Sequence, residues 1–234
     1  MLMASTGYHL HKYYPPDYWL FRTSEEKAAR YFYDELTLGL SEIRQAGQPV
    51  LAGLIKIACE DSLEKSPLQL MEAAVEASLR SGCAILVHTE KGADAERIAR
   101  SLQTFGLLPG KLVLCHMDKR PDFGLHQALA QEGILLEYDT FFRPQYNPEE
   151  GVWPLLESML SRGLEGQIAI AGDMADESMW RRLGGYPGLT GLSNQVLPRL
   201  IRMGVNAEAI GKVSGGNIVH RLARSSKNQS NPER

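Results

Sequence analysis

Six short apolar runs, each followed by a longer stretch with helical spacing, constrain this chain more than any other feature. They occupy residues 1–6 (MLMAST), 52–58 (AGLIKIA), 84–89 (AILVHT), 111–117 (KLVLCHM), 134–139 (ILLEYD) and 167–173 (QIAIAGD). Near-continuous apolarity over so few residues is how strands covered on both faces read. Helix signals fill the intervals. Thr23 and Glu26 have capping-box spacing ahead of a segment carrying Tyr31, Phe32, Leu36, Leu40 and Ile43. Ser66 and Gln69 repeat the box, with Pro67 at the first helical position and a stop at Gly82. Stretches 94–105, 122–132 and 149–162 each run up to a glycine: Gly106, Gly133 and Gly163. Repeated βα units of this kind predict a parallel sheet.

With 234 residues and no interdomain linker, the pattern predicts one domain over residues 1–224 and a polar, disordered tail over 225–234. Lys+Arg is 25 against Asp+Glu 28, so the net charge of -3 argues against nucleic acid as the main ligand. No apolar run approaches the roughly 18 residues of a membrane span, and the start lacks a basic region before an apolar stretch. The three cysteines, Cys59, Cys83 and Cys115, are an odd number in a chain too large to need stapling. They predict a reduced, cytoplasmic setting and core packing, with Cys115 alternating away from His116.

Polar residues recur where the runs end. Lys56, His88, His116 and Asp173 lie at or just past the C-terminal end of four runs, and their numbers differ by 32, 28 and 57. A (β/α)₈ barrel of roughly 250 residues allots about 31 residues to each unit, so these gaps are one unit, one unit and nearly two. Barrel enzymes keep their chemistry at those strand ends. A doubly wound sheet is the alternative, but no G-x-G-x-x-G follows any run.

Lys56 has two apolar residues on each side, so desolvation is expected to depress its pKa. A neutral amine there could capture carbon dioxide as a carbamate that bridges two metals. A lysine whose head snorkels to water is the other reading. His88 and His116 are either metal-ligating imidazoles or hydrogen-bonded structural residues. Asp173 is an oxygen ligand and proton acceptor, or the N-cap of a following helix. His9 and His11 form an H-x-H pair, but they follow the end of the first run and precede the loop-like KYYPPDYW. They are not assigned to a metal. His126 and His220 are expected to be structural.

The segments ASTGYH…YYPPDYW, AGLIKIACE, ILVHTEKG, GLLPGKLVLCHMDKRPD, IAIAGDMA, GGYPGL and GVNAEAIGKVSGGNIVHRLA resemble, in order, the phosphotriesterase family of the amidohydrolase superfamily, phosphotriesterase-like lactonases included. The resemblance implies a (β/α)₈ barrel holding two divalent metals, zinc foremost. Lys56 would be the carboxylated bridging lysine, His88 and His116 would bind one metal, and Asp173 would bind the other and act catalytically by shuttling the proton. A metal-bound hydroxide would attack an ester, a phosphotriester or a lactone, phosphorylated sugar lactones among them. Lys119, Arg120 and Arg143 could meet an anionic substrate group, or be solvated loop charges. In the family an H-x-H pair ends the first strand, ahead of the region that MLMASTGYH resembles. The six runs are therefore expected to be strands 3 to 8 of an incomplete TIM-type (β/α) barrel, about six of eight units, leaving the second metal only Lys56 and Asp173. The competing expectation is a truncated, catalytically impaired chain or gene fragment acting as an interaction partner. The implied partner is otherwise a small-molecule ester or lactone, with room for a homo-oligomer.

Overall fold

Each apolar run becomes one strand in the computed structural model, which describes residues 2–45 and 47–223. The strands are β1 (Ala4–Gly7), β2 (Ala52–Ala58), β3 (Ile85–His88), β4 (Leu112–Cys115), β5 (Leu135–Tyr138) and β6 (Ile168–Ile170). They form one parallel sheet in sequence order, so each strand pairs with its predecessor and its successor. Among the described residues β1 and β6 are paired on one side only. The polar tail expected at 225–234 lies outside the described residues.

Side-chain alternation divides the sheet into two faces. Ile55 and Ile57 of β2 and Ile85 of β3 pack outward with Phe32, Leu36, Met71, Ile98 and Leu102 of the covering helices, all fully buried. Burying one such side chain stabilises the fold by about 1.5–3 kcal/mol. The inner face carries a smaller cluster of Val113, Leu135 and Ala169, against which Leu86 and Ile218 pack. Lys56, between the two buried isoleucines, therefore points inward.

The helices are α1 (Glu25–Thr37), α2 (Leu68–Ser81), α3 (Ala95–Thr104), α4 (Phe123–Gln131) and α5 (Val152–Ser161), followed by α6 (Leu197–Arg202), α7 (Ala207–Gly211) and α8 (Asn217–Leu222). Both expected capping boxes fail. Ser24, not Thr23, caps α1, its hydroxyl accepting from Lys27 N at 3.4 Å. That helix stops before the left-handed Gly39, so Leu40 and Ile43 lie outside it. Ser66 is spent on Ser62 O and Glu60 N, and Gln69 reaches Thr23 O, which leaves Pro67 as the N-cap of α2. The stretch expected over 149–162 starts late, α5 beginning only at Val152 after Gly151, whereas Gly82 caps α2 in the left-handed conformation and Asp122 caps α4 by accepting from Leu125 N at 3.1 Å. At the N-terminal end of the sheet, Asn217 of α8 donates to Glu165 O and Ile168 O, and Arg221 donates to Gly133 O, Pro109 O and Gln167 Oε1.

Candidate metal centre

The C-terminal strand ends surround a cavity of about 570 Å³ whose lining includes Lys56, His88, Cys115, His116, Glu137 and Asp173. Parallel registry brings them there: Lys56 pairs with Leu86, and His88 with Cys115, on neighbouring strands. The His88 and His116 ring centroids are 4.7 Å apart, and His116 Nδ1 lies 4.0 Å from Asp173 Oδ2. His116 and Asp173 sit just beyond their strands with positive φ values of 64° and 39°, which turn their side chains across the mouth of the sheet. Asp173 caps no regular helix; Arg143 holds its carboxylate at 2.7 Å and its carbonyl at 2.6 Å.

Sequence reasoning passed over two acids here. Asp139, fully buried just past β5, is hydrogen-bonded to His116 Nδ1, and ligand atoms of His116, Asp139 and Asp173 lie within 4.8 Å of one another. A carboxylate behind an imidazole fixes its tautomer and orientation for metal binding. Glu137, inside β5, faces the cavity and accepts from His116 N at 3.0 Å. The signal for Asp139 was available, since it is one more polar residue at the end of an apolar run.

Two expectations are corrected. Cys115 faces the cavity, and its sulfur accepts a hydrogen bond from Lys56 Nζ at 3.1 Å. The Lys56 amine is also raised, not depressed. Burial pushes it down, but Cys115, Glu137 and Asp173 more than reverse this. Burial pushes the Cys115 thiol up to about 12. Glu137 is itself pushed well up, by burial and then by Asp139. Burial pushes Asp139 up, but its bond to His116 and the charges of His116, Lys119 and Arg143 together bring it down.

His88 is pushed down to about 3, by burial first and then by the charges of His116, His9 and Lys56. It is a neutral imidazole near pH 7. Its Nε2 is buried, has no hydrogen-bond partner and lies 3.5 Å from Glu90 Oε2. An orphaned neutral imidazole beside a second imidazole and several carboxylates suits a divalent cation of the zinc type.

The H-x-H pair splits. His9 joins the cavity wall, its ring 4.9 Å from that of His88, with Nδ1 accepting from Leu10 N at 2.8 Å. His11 packs on Phe21 in a separate cavity. Lys119 lies over the Tyr146 ring at 5.4 Å. Arg120 points away from the cavity, to Glu96 at 3.0 Å and Gly92 O at 3.3 Å. His126 is spent on the Tyr138 hydroxyl and Arg120 O.

The chain is 29% identical to a phospho-furanose lactonase of Mycoplasmopsis synoviae (strain 53), a match covering 99% of this chain and 69% of that protein. It is 28% identical to a phospho-furanose lactonase of Mycoplasmopsis agalactiae, of which it spans 63%. Among solved structures, an amidohydrolase from Mycoplasma synoviae superposes with a TM-score of 0.86 at 29% identity, covering 98% of this chain and 69% of that one. A lactonase from Listeria monocytogenes shares the fold with a TM-score of 0.85 at 21% identity, covering 95% and 73%. The α/β fold with its parallel sheet is thus that of phosphotriesterase-like, TIM-barrel relatives. Since the phosphotriesterase family model matches residues 1–218, this chain belongs to the phosphotriesterase family.

Proposed function

We propose that the chain is a metal-dependent hydrolase that opens a lactone, with phosphorylated sugar lactones as its substrate class and zinc as its metal. The supporting observation is the orphaned His88 Nε2, buried beside His116 and Asp173 in the strand-end cavity that Lys56 also lines. In this reading the six strands are units 3 to 8 of the barrel. His88 and His116 hold one cation, Asp173 contributes to a second, joined by Lys56 once its amine gives up its proton and takes up carbon dioxide as a carbamate, and Asp139 orients His116. A divalent cation held there supplies Lewis acidity to the lactone carbonyl and to water. Asp173, kept in place by Arg143, takes the proton released when water attacks and returns it to the departing alkoxide oxygen. Lys119 and the unpartnered Nε of Arg143 are the cationic groups available to a substrate phosphate. Arg120, engaged with Glu96, is left out of that role. The names of the two mycoplasmal relatives support the same substrate class.

The test is metal analysis of purified protein together with hydrolysis of a 5-phosphorylated pentono-lactone followed by pH-stat. Wild type should carry zinc and open the lactone. His88→Ala and Asp173→Asn should lower kcat/KM by about 100-fold or more while remaining folded, the loss expected when general-acid/base and metal-holding groups are removed. Metal-free wild type, or variants as active as wild type, would refute the proposal.

A further inference from the structure

Asp118, two residues past His116, is 2% exposed and lies outside the lining of the metal cavity. Its Oδ2 accepts three hydrogen bonds, from Asp139 N at 3.0 Å, Thr140 N at 2.7 Å and Thr140 Oγ1 at 2.6 Å. All three donors stand at the start of the turn that follows β5. One carboxylate oxygen in the turn after β4 thus gathers the beginning of the next turn. Asp139, whose backbone is held in this way, has its carboxylate on His116 Nδ1. A ring of contacts results, from His116 along the chain to Asp118, across to Asp139 and back to the imidazole.

Strand pairing does not set the distance between His116 and Asp139. The β4–β5 ladder pairs Val113 with Leu135 and Leu114 with Leu136 and goes no further, so both residues stand beyond its last rung. Each turn also closes without Asp118. After β4, Lys119 N donates to His116 O at 3.3 Å and Arg120 N to Met117 O at 3.0 Å; after β5, Arg143 N donates to Thr140 O at 3.0 Å. What Asp118 adds is the placement of one turn against the other. Glu137 holds the backbone of His116, and Asp118 holds that of the acid on its ring.

Keeping a carboxylate there costs stability. Asp118 Oδ1 is buried with no hydrogen-bond partner among the described residues, and the neighbouring Asp139 is a second carboxylate with no exposure at all. Neutral donors offset only part of the loss when a charge leaves water, and a like charge nearby adds to it. A group of this kind, beside turns that already close by themselves, is explained by what it holds in place.

We propose that Asp118 is a positioning residue of the metal centre. By anchoring Asp139 and Thr140 it sets the Asp139 carboxylate on His116, which keeps the ring proton on Nδ1 and leaves Nε2 the unprotonated nitrogen that a cation needs. This rests on the reading of His116 as a metal ligand. Asp118 touches neither cation nor substrate and acts only through Asp139. All of its partners belong to two consecutive strand ends, so the arrangement is complete within β4, β5 and their turns.

The molecule carries its own reference. His126 has the opposite tautomer, since Nε2 donates to Arg120 O at 3.0 Å while Nδ1 accepts from the Tyr138 hydroxyl at 2.7 Å. The test records long-range proton–nitrogen NMR spectra of the metal-free full chain at a pH where imidazoles are neutral, with His116 assigned by its loss in His116→Gln. Wild type should show the proton on Nδ1 of His116 and on Nε2 of His126. Asp118→Ala should release His116 into a mixture of tautomers and leave His126 unchanged. Asp118→Asn, whose amide oxygen still accepts from the two backbone N–H groups, should keep the Nδ1 form. Zinc affinity, from competition with a chelating dye, should fall about tenfold or more in Asp118→Ala and less than about threefold in Asp118→Asn. Thr140→Val, which removes the hydroxyl donor alone, should weaken zinc about two- to threefold and decides the matter if Asp118→Ala does not fold. Asp118→Ala, or failing it Thr140→Val, with the His116 tautomer and zinc affinity of wild type would overturn the proposal, and so would equal loosening of His126. Wild type that binds no zinc would refute the hydrolase reading instead, and the tautomer comparison would still decide what Asp118 does.

Discussion

A single imidazole illustrates how the cavity sets its own chemistry. His88 titrates near 3 in the fold against about 6.5 in an unfolded chain, so between those values the unfolded state binds more protons. Its contribution is intact above pH 6.5 and is lost as pH falls toward 3, at about 1.4 kcal/mol per pH unit. Metal-free wild type should therefore lose about 2 kcal/mol more than metal-free His88→Gln between pH 7 and pH 5, read from urea midpoints at each pH. Equal losses would place the imidazole in water. The same scale explains what the sequence hid. Counting alternation back from His116 turned Cys115 away from the site, but His116 has left the strand at φ 64°, so the count began one residue too late. The rise in the Lys56 pKa was equally hidden, because Cys115, Glu137 and Asp173 reach it only through the folded sheet. By contrast, Lys56, His88, His116 and Asp173 could be gathered from spacing alone, since parallel strands carry their ends to one place.

Among the elements, strands were easier to read than helix starts. Five of the six apolar runs contain their strand whole, β1 passing its run by one residue, and β2 coincides with its run from Ala52 to Ala58, because continuous burial leaves no choice of register. The capping boxes failed because Ser24 takes the cap ahead of Thr23, and because the Ser66 hydroxyl and the Gln69 amide are engaged by other partners in the fold. Two glycines separate local from tertiary demands. Gly82 ends α2 at φ 71° with open space where a Cβ would stand, so Gly82→Ala should cost only the backbone term, about 1 kcal/mol. Gly7 combines φ 120° with a Cβ position 1.9 Å from Lys56 O. Gly7→Ala should therefore cost about 3 kcal/mol or more and spread β1 from β2 beside the cavity. Thermal unfolding of the two variants under one buffer checks the contrast, and similar midpoints would contradict it.

At the scale of the whole molecule, α8 ties together units far apart in sequence. Arg221 reaches the backbone before β4 and β5 and the Gln167 side chain before β6. Arg221→Ala should lower stability by about 1–3 kcal/mol by leaving those acceptors unpaired, and Arg221→Lys should recover only part, lacking the fork. Urea denaturation at fixed metal concentration measures both, and full recovery by lysine would show that charge alone matters there. The tie could not be read from the sequence, because Arg221 stands in a helix whose partners are carbonyls with no compositional signature. The order of the strands has one more consequence. Because each strand pairs with the one before it in the sequence, a chain leaving the ribosome can add strands to the sheet as they emerge. Lysine and both imidazoles are then in place while Asp173 is still being translated. The acid that completes the pocket arrives last, so a stalled nascent chain would expose a half-built nest of nitrogen donors to any ion passing by.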